Sequence, residues 1–274
     1  MVTTPSPVSG ASDFRARYGP WALITGGSEG VGGSWASAIA ARGVNLVLLA
    51  RRADVLEAKA IELREEGVEV RTIALDITAE DLLERLDEIT NDVEVGLLVH
   101  NVGSWERDHG WFLDDPIEVG VKTIEVNCVT PMKLASAYGQ GMRDRRRGGI
   151  VLVGSMSGMA GQALEATYSA AKAFSQHFAE ALWSELREHD VDVVSVLLGG
   201  TRTPALDAKG MLGTVDLPTP DEVVAEAIEH LGDGPVFVPG EANRQLFAKV
   251  NAMPRRDAAE RMARIAYKLV GRPD

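Results

Sequence analysis

Trp21-Ala22-Leu23-Ile24-Thr25-Gly26-Gly27-Ser28-Glu29-Gly30-Val31-Gly32 decides the fold, because an apolar run breaks here into a glycine loop that leads into a segment of helical composition. Continuous rather than alternating hydrophobicity marks a strand covered on both faces. Gly26, Gly30 and Gly32 permit a tight turn and let a phosphate approach the backbone N–H groups at a helix start. A purely structural turn is the other reading. The position at a first strand–helix junction favours the phosphate cradle, with Ser28 and Val31 as further loop contacts.

Working outward, Val44 to Ala50, Val68 to Leu75, Val95 to Val99, Ile150 to Val153 and Val191 to Leu198 are further short apolar runs, and Pro235 to Pro239 is expected to close the set. Helices are expected near 30–42, 53–66, 79–90, 116–139, 165–189 and 219–231. Repeated βαβ units predict an α/β doubly wound parallel sheet of the Rossmann type, one three-layer domain that binds ligands beyond the carboxyl ends of its strands. The domain is expected to span 15–274 behind a loose tail at 1–14, with a lid near 201–218 and a C-terminal helical segment near 241–271.

The chain has 274 residues and a formal net charge of −12, which argues against a general binder of nucleic-acid backbone. Cys128 is the only cysteine, so neither an intrachain disulfide nor a multi-cysteine metal site is expected, and a reducing cytoplasm fits. The first twelve residues lack the basic start and apolar run of a secretory signal, and no apolar stretch is long enough to cross a bilayer.

Tyr168-Ser169-Ala170-Ala171-Lys172 carries the chemistry. On a helix, side chains four apart share a face, so a phenol and an ammonium are held together. A free tyrosine ionises near pH ~10, and each unit of downward shift needs roughly 1.4 kcal/mol of extra phenolate stabilisation, which a nearby cation can supply. Ser155 precedes Tyr168 by thirteen residues. Together with the Thr25–Gly32 loop, this constellation resembles the classical short-chain dehydrogenase/reductase family, with its Thr-Gly-x-x-x-Gly-x-Gly and Ser…Tyr-x-x-x-Lys signatures, from about Trp21 to about Gly240.

The resemblance implies an oxidoreductase that interconverts a ketone or aldehyde and its alcohol by hydride transfer. Tyr168 would be the proton donor or base, Ser155 would hold the reacting oxygen, and Lys172 would acidify Tyr168 and bond the nicotinamide ribose. Asn127 matches the asparagine that supports a water relay; a helix amide satisfied by backbone is its other reading. Asp76 matches an aspartate that contacts adenine, with Ile77 beside it, or it is a turn residue. His100-Asn101-Val102-Gly103 stands where relatives carry Asn-Asn-Ala-Gly. Asn101 and Gly103 keep the motif, and His100 is read as packed. In Gly199-Gly200-Thr201-Arg202-Thr203, Gly200 and Thr203 are candidates for holding the cofactor.

The second strand ends in Ala50-Arg51-Arg52 where an NAD enzyme usually places a carboxylate, so Arg51 and Arg52 favour NADP(H), with NAD(H) possible and Glu29 the reservation. A solvated helix start is the alternative for the arginines. Met156, Met159, Leu164, Leu206, Met211 and Leu212 suggest an apolar substrate, or else pack the core; Trp105 and Trp111 would narrow the entrance or pack. The chain is similar to bacterial relatives of steroid and long-chain 3-oxoacyl reductases. A catalytically silent nucleotide sensor is a competing class, opposed by the complete Ser155, Tyr168, Lys172 and Asn127 set, and a membrane-associated lipid enzyme is a third.

In the family the helices near 116–139 and 165–189 commonly pair across a two-fold axis, and the stripe Phe174, Phe178, Ala181, Leu182 suits a homodimer or homotetramer as well as an intrachain core. Met262, Ile265, Ala266 and Leu269 repeat at helical spacing in a basic tail. A docked helix or subunit contact is preferred there over a membrane-surface helix.

Overall fold

The structure, a computed structural model, describes residues 11–103, 110–204, 217–269 and 271. Strands β1 (Trp21–Thr25), β2 (Asn45–Ala50), β3 (Val70–Ala74), β4 (Val95–His100), β5 (Gly148–Ser155), β6 (Val191–Leu198) and β7 (Val236–Phe237) form one sheet in the order β3-β2-β1-β4-β5-β6-β7. All its pairings are parallel. The apolar runs expected as strands are these strands, although β7 pairs over two residues rather than five.

Alternate side chains of each inner strand serve opposite faces. In β2, Leu46 and Leu48 pack with Trp35, Ile39 and Leu56 of helices α2 (Gly30–Ala40) and α3 (Ala53–Glu65), while Val47 and Leu49 join the opposite core. That second core holds Leu86 of α4 (Leu82–Thr90), Leu134 of α6 (Thr130–Asp144) and Ala179 of α7 (Ala166–Leu186). Each such leucine, fully buried, contributes roughly 1.5–3 kcal/mol by leaving water. Helix α8 (Pro220–Ile228) covers α2, and its start is held by a capping box of Thr219 and Glu222.

Two expectations are corrected. The tail expected at 1–14 gives way by Ala11 to helix α1 (Ala11–Tyr18), because Phe14 and Tyr18, four apart, meet ring to ring in a tilted pair, 4.8 Å between centres, and are buried. The Tyr18 hydroxyl donates to Asp192 at 2.7 Å, and Arg17 donates to the same carboxylate at 2.5 and 2.7 Å, which ties α1 to the start of β6. The helix expected at 116–139 is α5 (Ile117–Ile124), a π-helical turn at Glu125–Val129, and α6. Pro131 explains the break, since it has no N–H to give the Asn127 carbonyl in a continuous helix. The C-terminal segment is helical as expected, in two helices, α9 (Glu241–Asn251) and α10 (Arg255–Leu269).

Helix α10 is docked rather than free. Ala258, Met262 and Ala266 are buried at four-residue spacing, and Met262 joins Met156, Met159 and Val250 in a third apolar cluster beyond the carboxyl end of β5. Arg255 Nη1 donates to the Met159 carbonyl at 3.0 Å. Among the described residues no helix is long and apolar enough to cross a membrane.

Candidate active site

The topological switch falls between β1 and β4, whose neighbours run off in opposite directions, and the loops after both strands are locked together there. Thr25 Oγ1 accepts from the backbone N–H groups of Asn101 (3.1 Å) and Val102 (3.4 Å) and lies 3.2 Å from His100 Nδ1. Asn101 Nδ2 reaches the Gly26 carbonyl at 3.5 Å. His100 is packed, as expected. Burial, with Lys172 as a second cause, pushes its pKa down to about 3, so it is a neutral imidazole near pH 7.

Gly26 and Gly30 have φ of +69° and +55°, a left-handed backbone that glycine adopts without a Cβ clash. At Gly32 a Cβ would lie 2.0 Å from the Gly26 carbonyl oxygen, so this glycine is required for the helix to close on the loop. A cavity of about 920 Å³ opens beyond this junction. Gly26, Ser28, Gly30 and Val31 line it from the loop, and Gly32, expected to touch the cofactor, lies behind them. Arg51, Arg52, Asp76 and Ile77 line it from β2 and β3, Asn101 and Gly103 from β4, and Gly200 and Thr203 from β6.

Two carboxylates here have local partners. Asp76 Oδ1 accepts from Thr78 N at 2.9 Å and Thr78 Oγ1 at 2.7 Å, which lowers its pKa. The turn reading and the cavity-lining reading of Asp76 therefore coexist. Glu29 pairs with Arg52 across the mouth of the glycine loop, both side chains about half exposed.

At the other end of the cavity β5 delivers Ser155, and α7 delivers Tyr168 and Lys172. The two side chains of α7 share a face, with Lys172 Nζ 5.6 Å from the centre of the Tyr168 ring. Nζ donates to the Val153 carbonyl at 3.2 Å. Ser155 hydrogen-bonds Tyr168 and also caps the following turn by accepting from Ser157 N at 3.1 Å. The geometry meets the sequence expectation; the acidity does not.

Burial, reinforced by the Glu165 carboxylate, pushes the Tyr168 phenol up to about 12, and the Ser155 hydrogen bond only moderates this. Lys172 is itself pushed down to about 8 by burial. Two groups drawn into a low-dielectric floor each disfavour their charged form. Among the protein groups alone, therefore, Lys172 does not make Tyr168 acidic.

Asn127 sits in the π-helical turn, buried, its Nδ2 donating to the Thr123 carbonyl at 2.9 Å. It does not line the cavity but stands just behind it: a Cβ placed on Gly103 would lie 3.0 Å from Lys172 Nζ and 3.5 Å from Asn127 Oδ1. Of the expected substrate contacts, Met156 lines the cavity. Leu164 does not; its backbone is left-handed (φ 65°), and its side chain is buried away from the lining. Leu206, Met211, Leu212 and Trp105 lie outside the described residues. Trp111 is half exposed, with its ring 6.4 Å from that of Tyr267 on α10.

The sequence reading missed Gln162, Glu165, Asn243, Leu246 and the cavity-facing role of Met262 and Ile265. Glu165 alone had a signal, one helical turn before Tyr168.

Residues 20–210 match the family described as short chain dehydrogenase, and the chain belongs to that family. It is an oxidoreductase acting on a hydroxyl or carbonyl group. The chain is 37% identical over 217 residues to a very-long-chain 3-oxoacyl-CoA reductase of Macaca fascicularis, covering 78% of this chain and 69% of that protein. It is 29% identical over 265 residues to a 7beta-hydroxysteroid dehydrogenase of Clostridium sardiniense, covering 92% and 98%. Among solved structures, one concerned with 7beta-hydroxysteroid dehydrogenase stereoselectivity superposes with a TM-score of 0.84 at 30% identity, covering 91% of this chain and 98% of that one. A short-chain dehydrogenase from Sphingobium yanoikuyae in complex with NADPH gives 0.76 at 30%, covering 85% and 92%.

Proposed function

We propose that this chain is an NADP(H)-dependent reductase and dehydrogenase that interconverts a bulky apolar ketone and its secondary alcohol, with Tyr168 as the general acid or base. One observation carries the reading: Ser155, Tyr168 and Lys172 converge at one end of the same cavity whose other end is the glycine loop. A dinucleotide fits that cavity on this chain's own geometry, since the left-handed Gly26 and Gly30 clear the space that side chains would fill. When bound, the nicotinamide supplies or accepts a hydride.

The residues of the chain do the rest. In reduction the carbonyl carbon gains the hydride and its oxygen becomes negative, and Tyr168 gives that oxygen its proton while Ser155 donates a second hydrogen bond. In oxidation the phenolate takes the proton back. A phenol near 12 is protonated at neutral pH, the form from which reduction starts. Lys172 holds positive charge beneath the developing phenolate, and Asn127, packed behind Gly103, would support a water relay to it.

Arg51 and Arg52 follow Ala50, so the end of β2 itself carries no carboxylate to repel a 2′-phosphate, and this supports NADP(H), with the Glu29 carboxylate paired to Arg52 the feature that opposes it. The similarity to a short-chain dehydrogenase solved with NADPH points the same way. Michaelis constants for the two nucleotides measure the preference, and a clear preference for NADH removes it. Met156, Met159, Met262 and Ile265 make the substrate end apolar, and relatives named for steroid and long-chain acyl substrates agree with a large apolar reactant. We place the protein in the cytoplasm.

Tyr168→Phe is the direct test. It removes only the hydroxyl, so NADPH binding, read by fluorescence titration, should stay within about twofold, while turnover of a ketone should fall by roughly two orders of magnitude or more. Wild-type turnover in this variant rules out the assignment.

A further inference from the structure

Asn243 stands in the cavity wall beside the start of the loop after β6, and the reaction as drawn gives it no part. Leu246, Met262 and Ile265 are the other side chains that α9 and α10 bring to the cavity, so Asn243 is the one amide among them. Its place is set from several sides. Asn243 Nδ2 donates to the Pro239 carbonyl at 2.9 Å. Gly240 N donates to Glu226 Oε2 of α8 at 2.7 Å, and Arg244 pairs with the same carboxylate and donates to the Val238 carbonyl at 3.1 Å. The first turn of α9 is thus pinned to α8 and to the end of β7.

The amide so held bears on Gly199. Ser155 pairs with Leu198 on the last rung between β5 and β6, and Gly199 and Gly200 follow at once. Gly199 is not left-handed, so its backbone alone would accept a side chain, yet a Cβ there would lie 2.8 Å from both Nδ2 and Oδ1 of Asn243. The space is taken by the amide. Two glycines beyond the last rung give the chain a wide choice of backbone angles, and a contact from outside narrows it. The loop then runs along the cavity: Gly200 and Thr203 line it, and a Cβ on Gly30 of the glycine loop would have Thr203 and Pro204 3.8 Å away. The two loops therefore face each other across the cleft that a dinucleotide would enter.

Resting on the reductase reading above, we propose that Asn243 is a positioning residue for the nucleotide: its amide fixes Gly199 at the end of β6, and through Gly199 it sets the spacing between the β6 loop and the glycine loop. It acts through the loop and not on the reacting atoms. Without the amide the loop samples wider openings of the cleft, and nucleotide binding weakens. Ser155, Tyr168 and Lys172 come from β5 and α7, so they keep their places.

Asn243→Ala and Gly199→Ala, singly and together, test the contact by NADPH fluorescence titration, by steady-state kinetics with a ketone, and by tryptic cleavage after the exposed Arg202 with no nucleotide present. Asn243→Ala should weaken NADPH binding and raise its Michaelis constant by about three- to tenfold, the range one lost hydrogen bond gives, with kcat at saturation within about twofold. Cleavage after Arg202 should quicken by a similar factor, because it tracks the open population. Gly199→Ala drives a methyl group into the amide and should weaken NADPH binding by roughly tenfold or more, but by only about twofold once Asn243→Ala has removed the obstacle. If Gly199→Ala does not fold, the cleavage and kinetic readouts of Asn243→Ala decide. Three results overturn this inference alone: NADPH binding and cleavage unchanged in Asn243→Ala, a fall in kcat with the NADPH constants unmoved, or a Gly199→Ala effect equal with and without the amide. A wild type that binds NADPH but reduces no ketone in a wide screen takes down the reductase reading, while binding and cleavage still judge Asn243; one that binds no dinucleotide takes down both.

Discussion

At the residue scale, burial governs more of this site than pairwise charge does. Tyr168, Lys172 and His100 are all drawn out of water, and each moves toward its neutral form. For His100 this is also a stability term. Its folded pKa of about 3 lies below the ordinary value of 6.5, so the unfolded chain binds the proton first as pH falls. The contribution is complete above pH 6.5 and is lost as pH falls toward 3. Between pH 6.5 and 5 the loss is roughly 2 kcal/mol, at about 1.4 kcal/mol per pH unit. His100→Asn does not titrate there, so urea midpoints followed from pH 7 to 5 should fall less steeply in the variant than in wild type. Parallel slopes contradict this account.

At the element scale, α10 is a wall of the substrate space rather than a surface appendage. Its buried stripe is centred on Met262, which belongs to the same cluster as Met156 and lines the cavity with Ile265. Met262→Ala is expected to cost about 2–5 kcal/mol of stability, read from the urea midpoint, because it leaves a void in a packed cluster. It should also raise KM for a bulky ketone while leaving the Michaelis constant for NADPH within about twofold, since the glycine loop belongs to α2. If the nucleotide constant moves as much as the ketone constant, α10 supports the whole fold and not the pocket wall. The same docking accounts for the apolar spacing of the basic tail: Met262 and Ala266 are buried inside the molecule.

At the scale of the whole molecule, an apolar face is left outside. Ile117, Val121 and Ile124 of α5 fall at helical spacing and are 61%, 58% and 37% exposed, with Leu113 and Met132 nearby. Phe178 and Leu182, read as suited either to a subunit contact or to the chain's own core, are partly buried and pack against that core. We propose that a homodimer or homotetramer buries α5 and so covers the exposed stripe. Ile117→Glu combined with Val121→Glu should then shift the sedimentation coefficient to that of a monomer, and a monomeric wild type would discount the assembly.

Much was legible in advance. The order of short apolar runs and helical segments gave a doubly wound sheet because hydrophobic periodicity is local, and Gly26, Gly30 and Tyr168-x-x-x-Lys172 could be read because a turn or a helix fixes their spacing. Leu164 and Gly32 were misplaced because facing the cavity depends on which way a backbone turns, and composition does not reveal that. Gln162 and Glu165 were passed over because a polar pair in a turn reads as solvated surface until its burial is known.

By itself, then, the sequence determined the class of fold, the glycine loop after the first strand and the phenol and ammonium one helical turn apart, since each follows from neighbours within a few positions. Only the tertiary structure decided that Tyr168 is held above its ordinary pKa, that α10 closes the substrate end and that a carboxylate is buried beside the reacting group. Desolvation and cavity shape are made by segments a hundred or more residues apart, as where Met262 meets Met156, and no local pattern records that meeting.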